Sequence, residues 1–166
     1  MKKKQALVVI GMAAGLAVAV LAWHFLPPVK VAEDMIARLK FAAECLLVPG
    51  FTLLIGIGAV ANRRFFLTDA IDGGEDFKSR GLDIALRYNR NTLEQVVLVV
   101  IAWPLLAVSL PAERVGMLAV LALLFGIGRA AFWLGYLYAP WARAFGFALT
   151  FYPTVAAYLW LGWRMI

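Results

Sequence analysis

Apolar residues dominate five long stretches of the chain, and polar residues collect in the short segments between them. The apolar stretches cover residues 6–26, 41–61, 82–110, 115–138 and 142–163. A helix needs about 20 mostly apolar residues to cross a bilayer, and each stretch reaches that length. Because lipid offers no partner to free backbone groups, each stretch is predicted to be an α-helix. The sequence lacks the alternating segments that are typical of a membrane β-barrel.

Composition supports this prediction. Of the 166 residues, 64% are hydrophobic and 16% are charged, whereas a soluble domain is roughly half apolar and a quarter charged. A core of this size cannot hide the excess, so lipid must cover much of the surface. The sequence therefore predicts an all-α integral membrane protein with five spans.

The first apolar stretch is preceded by three lysines and ends at Trp23 and His24. It is long for the apolar core of a secretory signal, and a tryptophan at its end is typical of a membrane interface. We interpret residues 1–30 as a retained transmembrane helix, which Pro27 and Pro28 end. Gly11 and Gly15 form a small-xxx-small pair that predicts a contact with another helix. Residues 31–40 are expected to form an amphipathic entry to the second span.

The net charge of +6 comes from basic residues at the ends of spans rather than on one soluble face, so a nucleic-acid partner is not expected. Cytoplasmic segments of membrane proteins are rich in Lys and Arg. Five spans with a cytoplasmic N-terminus and an outside C-terminus place most basic residues on the cytoplasmic side: Lys2, Lys3, Lys4, Arg63, Arg64, Lys78, Arg80, Arg87, Arg90 and Arg143.

The third span opens with a polar stripe formed by Arg87, Arg90, Asn91 and Glu94. Their spacing of i, i+3, i+4 and i+7 puts all four on one helical face. An ionised carboxylate within a span is costly unless it is paired, so the stripe is expected to face the bundle interior, with Glu94 paired to one arginine. Two functions remain open for the arginines: interfacial anchors, or a pocket for a carboxylated ligand.

The fourth span adds Arg129 in its middle and Tyr136 seven residues later on the same face. A buried arginine within a span is either a functional group or a structural partner, here of Glu94, and both hypotheses are kept. Arg143 opens the fifth span and falls at the same end of the bundle as the stripe. The acidic segment 72–76 is expected to be a solvated loop tip, and no metal site is predicted.

At these residues the chain resembles the MAPEG family, the membrane-associated proteins in eicosanoid and glutathione metabolism. The resemblance is carried by RYNRNTLEQ (residues 87–95), by GRAAFWLGY (residues 128–136) and by Arg143. It implies a MAPEG-like four-helix domain over residues 31–166, with residues 1–30 as an extra N-terminal helix. It also implies a homotrimer that binds glutathione between neighbouring subunits near the cytoplasmic face.

The resemblance implies a role for each matched residue. Arg143 would be catalytic, because it matches the arginine that stabilises the glutathione thiolate in catalytic members. The chain departs from some members in its extra helix, in Phe132 where they carry histidine, and in Ala144 where prostaglandin E synthases carry serine. The residues that would bind glutathione, as co-substrate, are Arg87, Arg90, Asn91, Glu94, Arg129 and Tyr136.

The expected function is a membrane-embedded glutathione-dependent transferase or peroxidase that acts on hydrophobic electrophiles or lipid peroxides, in a bacterial inner membrane. One alternative is a non-catalytic scaffold of the same fold that binds lipid or a thiol. Another is a small transporter or channel subunit with Glu94 and Arg129 along a polar path. Transporters more often have two related halves with interrupted helices, and the sequence shows no such symmetry.

Overall fold

The computed structural model describes residues 2–66 and 79–166. Six helices follow one another in these residues, and the short α4 joins α5 in a single span. The described helices are α1 (Lys2–Phe25), α2 (Met35–Phe65), α3 (Arg80–Ser109), α4 (Ala112–Val115), α5 (Met117–Tyr138) and α6 (Arg143–Arg164). Five spans are long and apolar enough to cross a membrane. The predicted all-α membrane fold with five spans is confirmed.

Several boundaries differ from the prediction: α1 begins at Lys2 rather than at residue 6, and α2 ends at Phe65 rather than at residue 61. The second span begins at Met35, because the Asp34 carboxylate accepts a hydrogen bond of 2.9 Å from the backbone N–H of Ala37 and caps the helix. The segment expected to be a separate amphipathic entry therefore extends α2 by about one and a half turns. The fourth span starts with the single turn α4, and α5 follows at Met117. The acidic segment 72–76 lies outside the described residues.

The bundle consists of α2, α3, α5 and α6. Helix α2 packs along α3, and α5 packs along α6, while α2 with α5 and α3 with α6 close the bundle. The main core lies between these four helices and is filled by branched and aromatic side chains such as Val99, Trp103, Leu118 and Phe125. The rings of Trp103 and Phe125 meet edge to face at 6.4 Å between centroids, a favourable aromatic geometry.

Helix α1 lies outside the four-helix bundle and packs on α6. A Cβ atom on Gly15 would lie 2.6 Å from the carbonyl oxygen of Phe145 and 2.8 Å from the Cβ of Ala148. The two backbones approach this closely because glycine has no side chain. Gly11 lies one turn earlier on the same contact, so the predicted role of this glycine pair is confirmed. The opposite side of α1 is exposed and carries apolar residues such as Val9 and Ile10.

Candidate functional site

A cavity of about 490 Å³ opens at the end of the bundle where α1, α3 and α6 begin and α5 ends. We call it the polar pocket. Six of the seven predicted site residues line it: Arg87, Arg90, Asn91, Glu94, Tyr136 and Arg143. The seventh, Arg129, is fully buried behind it. Arg87 and Arg143, which lie 56 positions apart along the chain, thus line one pocket. The predicted topology put both arginines at the same end of the bundle.

Helix α3 carries the polar stripe. The Arg87 Nε donates to both carboxylate oxygens of Asp83, at 2.8 and 2.9 Å, and the Arg90 Nε lies 3.4 Å from Glu94 Oε1. The side chains of Arg87, Arg90 and Glu94 are 59%, 86% and 55% exposed, respectively. The expectation that the stripe faces the bundle interior is therefore wrong for the single chain. Each arginine finds a carboxylate one turn away on its own helix, so neither needs burial to be paired.

Arg129 on α5 is 0% exposed, and neutral oxygens surround it. Its guanidinium donates to Asn91 Oδ1 at 2.8 Å, to Thr150 Oγ1 at 2.9 Å and to the Gly146 carbonyl oxygen at 3.5 Å. It also lies 4.7 Å from the centroid of the Phe132 ring. Among the described residues it forms no ion pair, so the predicted alternative of a pair with Glu94 in the same chain is wrong. Asn91 links Arg129 to the polar pocket, because it also lines that pocket.

Arg143 and Tyr136 meet at the connection between α5 and α6. A Cβ atom on Gly135 would lie 2.7 Å from the backbone of Ala142, so the end of α5 and the start of α6 are held in close contact. This contact sets Arg143 beside the last turn of α5. Its Nη1 donates to the Tyr136 hydroxyl, and its guanidinium carbon lies 4.7 Å from the centroid of that ring.

The sequence did not predict that α1 contributes to the polar pocket. Val8 and Met12, one turn apart, form an apolar wall beside the charged residues. Their side of α1 lies next to Gly11 and Gly15, which hold the helix on α6. The glycine pair was therefore the sequence feature that indicated a helix contact here, but it does not reveal which helix is the partner.

The charges of the polar pocket favour an anionic ligand. Three guanidinium groups, of Arg87, Arg90 and Arg143, share its lining with one carboxylate, that of Glu94. Guanidinium binds carboxylate in a bidentate manner, and Glu94 can accept from a ligand ammonium group. Within the described residues, no group of three His, Cys, Asp or Glu side chains could hold a metal ion.

The model of the MAPEG family matches residues 41–163. The chain belongs to the MAPEG family. Transmembrane protein 79 of Mus musculus and that of Bos taurus are each 26% identical over 140 residues. These alignments cover 84% of this MAPEG chain and 35% of each relative, so the chain spans about a third of the length of the curated relatives it matches. No solved structure matches the chain. The family match includes all seven predicted site residues, whereas α1 precedes it.

Proposed function

We propose that this MAPEG chain is a membrane-embedded glutathione-dependent transferase or peroxidase that acts on hydrophobic electrophiles or lipid peroxides. The observation that carries the proposal is the position of Arg143 and its lack of a carboxylate partner. It lies on the polar pocket, donates to the Tyr136 hydroxyl and forms no ion pair among the described residues. A cation that no carboxylate neutralises is free to stabilise a thiolate.

The remaining pocket groups match the other charges of glutathione, which has two carboxylates and one ammonium group. Arg87 and Arg90 offer guanidinium groups for the carboxylates, and Glu94 offers an acceptor for the ammonium group. Asn91 adds an amide that Arg129 holds in place through its Oδ1 atom. The high exposure of Arg90 leaves it open to contact from outside the single chain. We propose a homotrimer in which a neighbouring subunit covers this side.

The chemistry needs the thiolate. A free thiol has a pKa of about 8.5 and is mostly protonated at neutral pH, and an adjacent cation lowers that pKa. The thiol proton leaves to water, and the sulfur lone pair forms a bond to the electrophilic carbon while the leaving group departs with its bonding electrons. With a peroxide, the thiolate attacks oxygen and cleaves the O–O bond. The alkoxide takes a proton and leaves as the alcohol, while the attacked oxygen stays on the sulfur as a sulfenic acid. The sulfur of a second glutathione then displaces that oxygen as water and forms the disulfide.

The polar pocket lies next to lipid-facing helices, which suits a hydrophobic second substrate. Val8 and Met12 supply an apolar wall within reach of the charged residues. The transporter alternative has less support, because it needs Glu94 and Arg129 along one polar path. Glu94 lines the open pocket, whereas Arg129 is fully buried behind it. We expect the polar pocket to lie on the cytoplasmic side of a bacterial inner membrane.

The test uses the full chain in detergent micelles. Glutathione is titrated while thiolate absorbance is followed, and turnover is then measured with an electrophilic aryl halide. In Arg143→Gln we expect kcat to fall by about 10²- to 10³-fold, the typical effect of losing one donor to a developing anion. Glutathione binding by calorimetry should change much less, because the stripe on α3 remains.

The matched control is Arg64→Gln, at the same end of the bundle but outside the polar pocket. It should leave kcat and thiolate absorbance unchanged. Glutathione that neither binds nor forms thiolate would overturn the proposal. Binding without turnover would leave the non-catalytic scaffold as the function. An equal loss of binding and turnover in Arg143→Gln would give Arg143 a structural role.

A further inference from the structure

A second cavity, of about 400 Å³, lies in the other half of the bundle. We call it the apolar cavity. It is formed by the second half of α1, the end of α3, the start of α5 and the second half of α6. Its lining includes Leu16, Trp23, Leu121, Tyr152, Ala157 and Trp160. No charged side chain lines it among the described residues.

One face of α1 contributes to the walls of both cavities. Val8 and Met12 line the polar pocket, and Leu16 and Val20 continue at intervals of four along α1 to line the apolar cavity. Residues four apart lie on one helical face. Because the family match begins at residue 41, this wall of the apolar cavity is made by a helix outside the matched segment.

The volume and lining of the apolar cavity fit a hydrocarbon group. Small-molecule sites have volumes of about 300–1,000 Å³ and mostly apolar walls, and the cavity falls within that range. A cavity of this kind excludes water, because its walls offer few hydrogen-bond partners. Leu16 and Val20 are 42% and 58% exposed, so the cavity is open to the surrounding bilayer along α1. Acyl chains of phospholipids are the apolar groups in contact with that opening.

A cation lies just outside the lining at one end of the apolar cavity. Trp160 lines the cavity, and the guanidinium carbon of Arg164 lies 5.4 Å from the centroid of its ring. The Arg164 Nη2 also lies 3.5 Å from the carbonyl oxygen of Ser109, at the end of α3. Tryptophan and arginine together at the end of a span mark the level of the lipid headgroups. A phosphate at that level would lie next to the guanidinium.

We infer that the apolar cavity holds one acyl chain of an anionic phospholipid from the surrounding bilayer, with the phosphate of that lipid bound by Arg164. This site goes beyond the proposed function, because it lies in the half of the bundle away from the polar pocket and needs neither glutathione nor turnover. It gives α1 a structural purpose: the helix turns an open face of the bundle into a lipid site.

The test is native mass spectrometry of the delipidated full chain, titrated with phosphatidylglycerol or phosphatidylcholine in the absence of glutathione. Phosphatidylglycerol should bind more tightly. Ala157→Phe, which fills the cavity, should weaken its binding by roughly tenfold or more. Because Ala157 is also packed in the core, Leu16→Trp on the open side is the second variant. The matched control, Ala43→Phe on the exposed side of α2, should bind as the unaltered chain does.

The headgroup contact is tested separately with Arg164→Gln. Phosphatidylglycerol binding should weaken about fivefold, the effect of one arginine near an anionic lipid surface, and phosphatidylcholine binding should not change. Arg114→Gln, an exposed arginine outside the cavity lining, is the control. Equal affinity for the two lipids, or unaltered binding in both cavity variants, would overturn the inference. Binding of palmitate but not of phosphatidylglycerol would show that the occupant is a free fatty acid and that the inference is wrong.

Discussion

Arg129 and Arg143 are the same residue type in two different surroundings, on two consecutive helices, α5 and α6. Arg129 is fully buried and is held by Asn91, Thr150 and the Gly146 carbonyl oxygen. Arg143 is partly exposed on the polar pocket, where it contacts Tyr136. The difference separates an arginine whose two terminal nitrogens donate within the protein from one that lines an open pocket and can act on a ligand.

The contrast teaches that an arginine within a span is not by itself a binding residue. A buried guanidinium needs partners for its donors, and neutral oxygens with aromatic faces can supply them. In this chain those oxygens come from α3 and α6, so Arg129 on α5 ties three helices together. The polar pocket instead leaves its guanidinium groups on an open surface. We therefore expect substitutions at Arg129 to reduce stability and those at Arg143 to reduce turnover.

The largest effect is expected from Arg129→Ala. It removes a fully buried side chain and leaves the oxygens of Asn91 and Thr150 without their donor. A cavity with unsatisfied polar groups typically costs about 3–5 kcal/mol of unfolding free energy. Chemical denaturation in mixed micelles measures this loss. Arg64→Ala, a less buried arginine on α2, should cost less than about 1 kcal/mol.

The same experiment can contradict the distinction between a structural Arg129 and a functional Arg143. If Arg129→Ala unfolds like the unaltered chain but no longer binds glutathione, Arg129 is a ligand-binding residue and the buried cluster is part of the site. If Arg129→Ala loses stability and also binds glutathione more weakly, the weaker binding is explained by Asn91, which contacts Arg129 and lines the polar pocket.

The sequence predicts the spans and most of the candidate site because both depend on local pattern. Five apolar stretches gave five spans, and helical spacing put the polar stripe on one face. Spacing does not reveal which way that face points. The stripe was therefore expected inside the bundle, whereas Arg90 is 86% exposed.

The contribution of α1 could not be predicted for a related reason. Gly11 and Gly15 indicate that α1 touches another helix, but only the tertiary arrangement shows that the partner is α6. Both cavities depend on that choice of partner. The separation of Arg129 from the polar pocket likewise depends on how closely α5 packs against α3 and α6.

The next largest effect is expected from Gly15→Leu. The new side chain would meet the Phe145 carbonyl oxygen and the Ala148 side chain, so α1 has to move away from α6. Overpacking of this kind costs about 1–3 kcal/mol. Because Met12 on the same helix lines the polar pocket, the KM for a hydrophobic electrophile should rise, while the KM for glutathione should change little.

Gly58→Leu is the control for this substitution. A Cβ atom at Gly58 would meet nothing within 4 Å, so the variant should keep its stability and both KM values. If Gly15→Leu raises the KM for glutathione as much as that for the electrophile, α1 supports the whole pocket rather than its apolar wall.

The smallest effect on stability is expected from Arg90→Gln. Its ion pair with Glu94 spans 3.4 Å between highly exposed side chains, and such a pair contributes less than about 0.5 kcal/mol to unfolding. If Arg90 binds a carboxylate of glutathione, however, the KM for glutathione should rise about tenfold, because a hydrogen bond to a charged group is lost. Steady-state kinetics and thermal unfolding of the same preparation measure the two effects.

Lys40→Gln provides a close control, because Lys40 and Glu44 form an ion pair at the same helical spacing, 3.8 Å apart and 76% and 57% exposed. Both variants should unfold like the unaltered chain, and only Arg90→Gln should change the KM. Equal kinetics in the two variants would show that Arg90 is an interfacial anchor, the structural alternative for this stripe. Among the pocket arginines, only Arg87 and Arg143 would then remain to bind the carboxylates of glutathione.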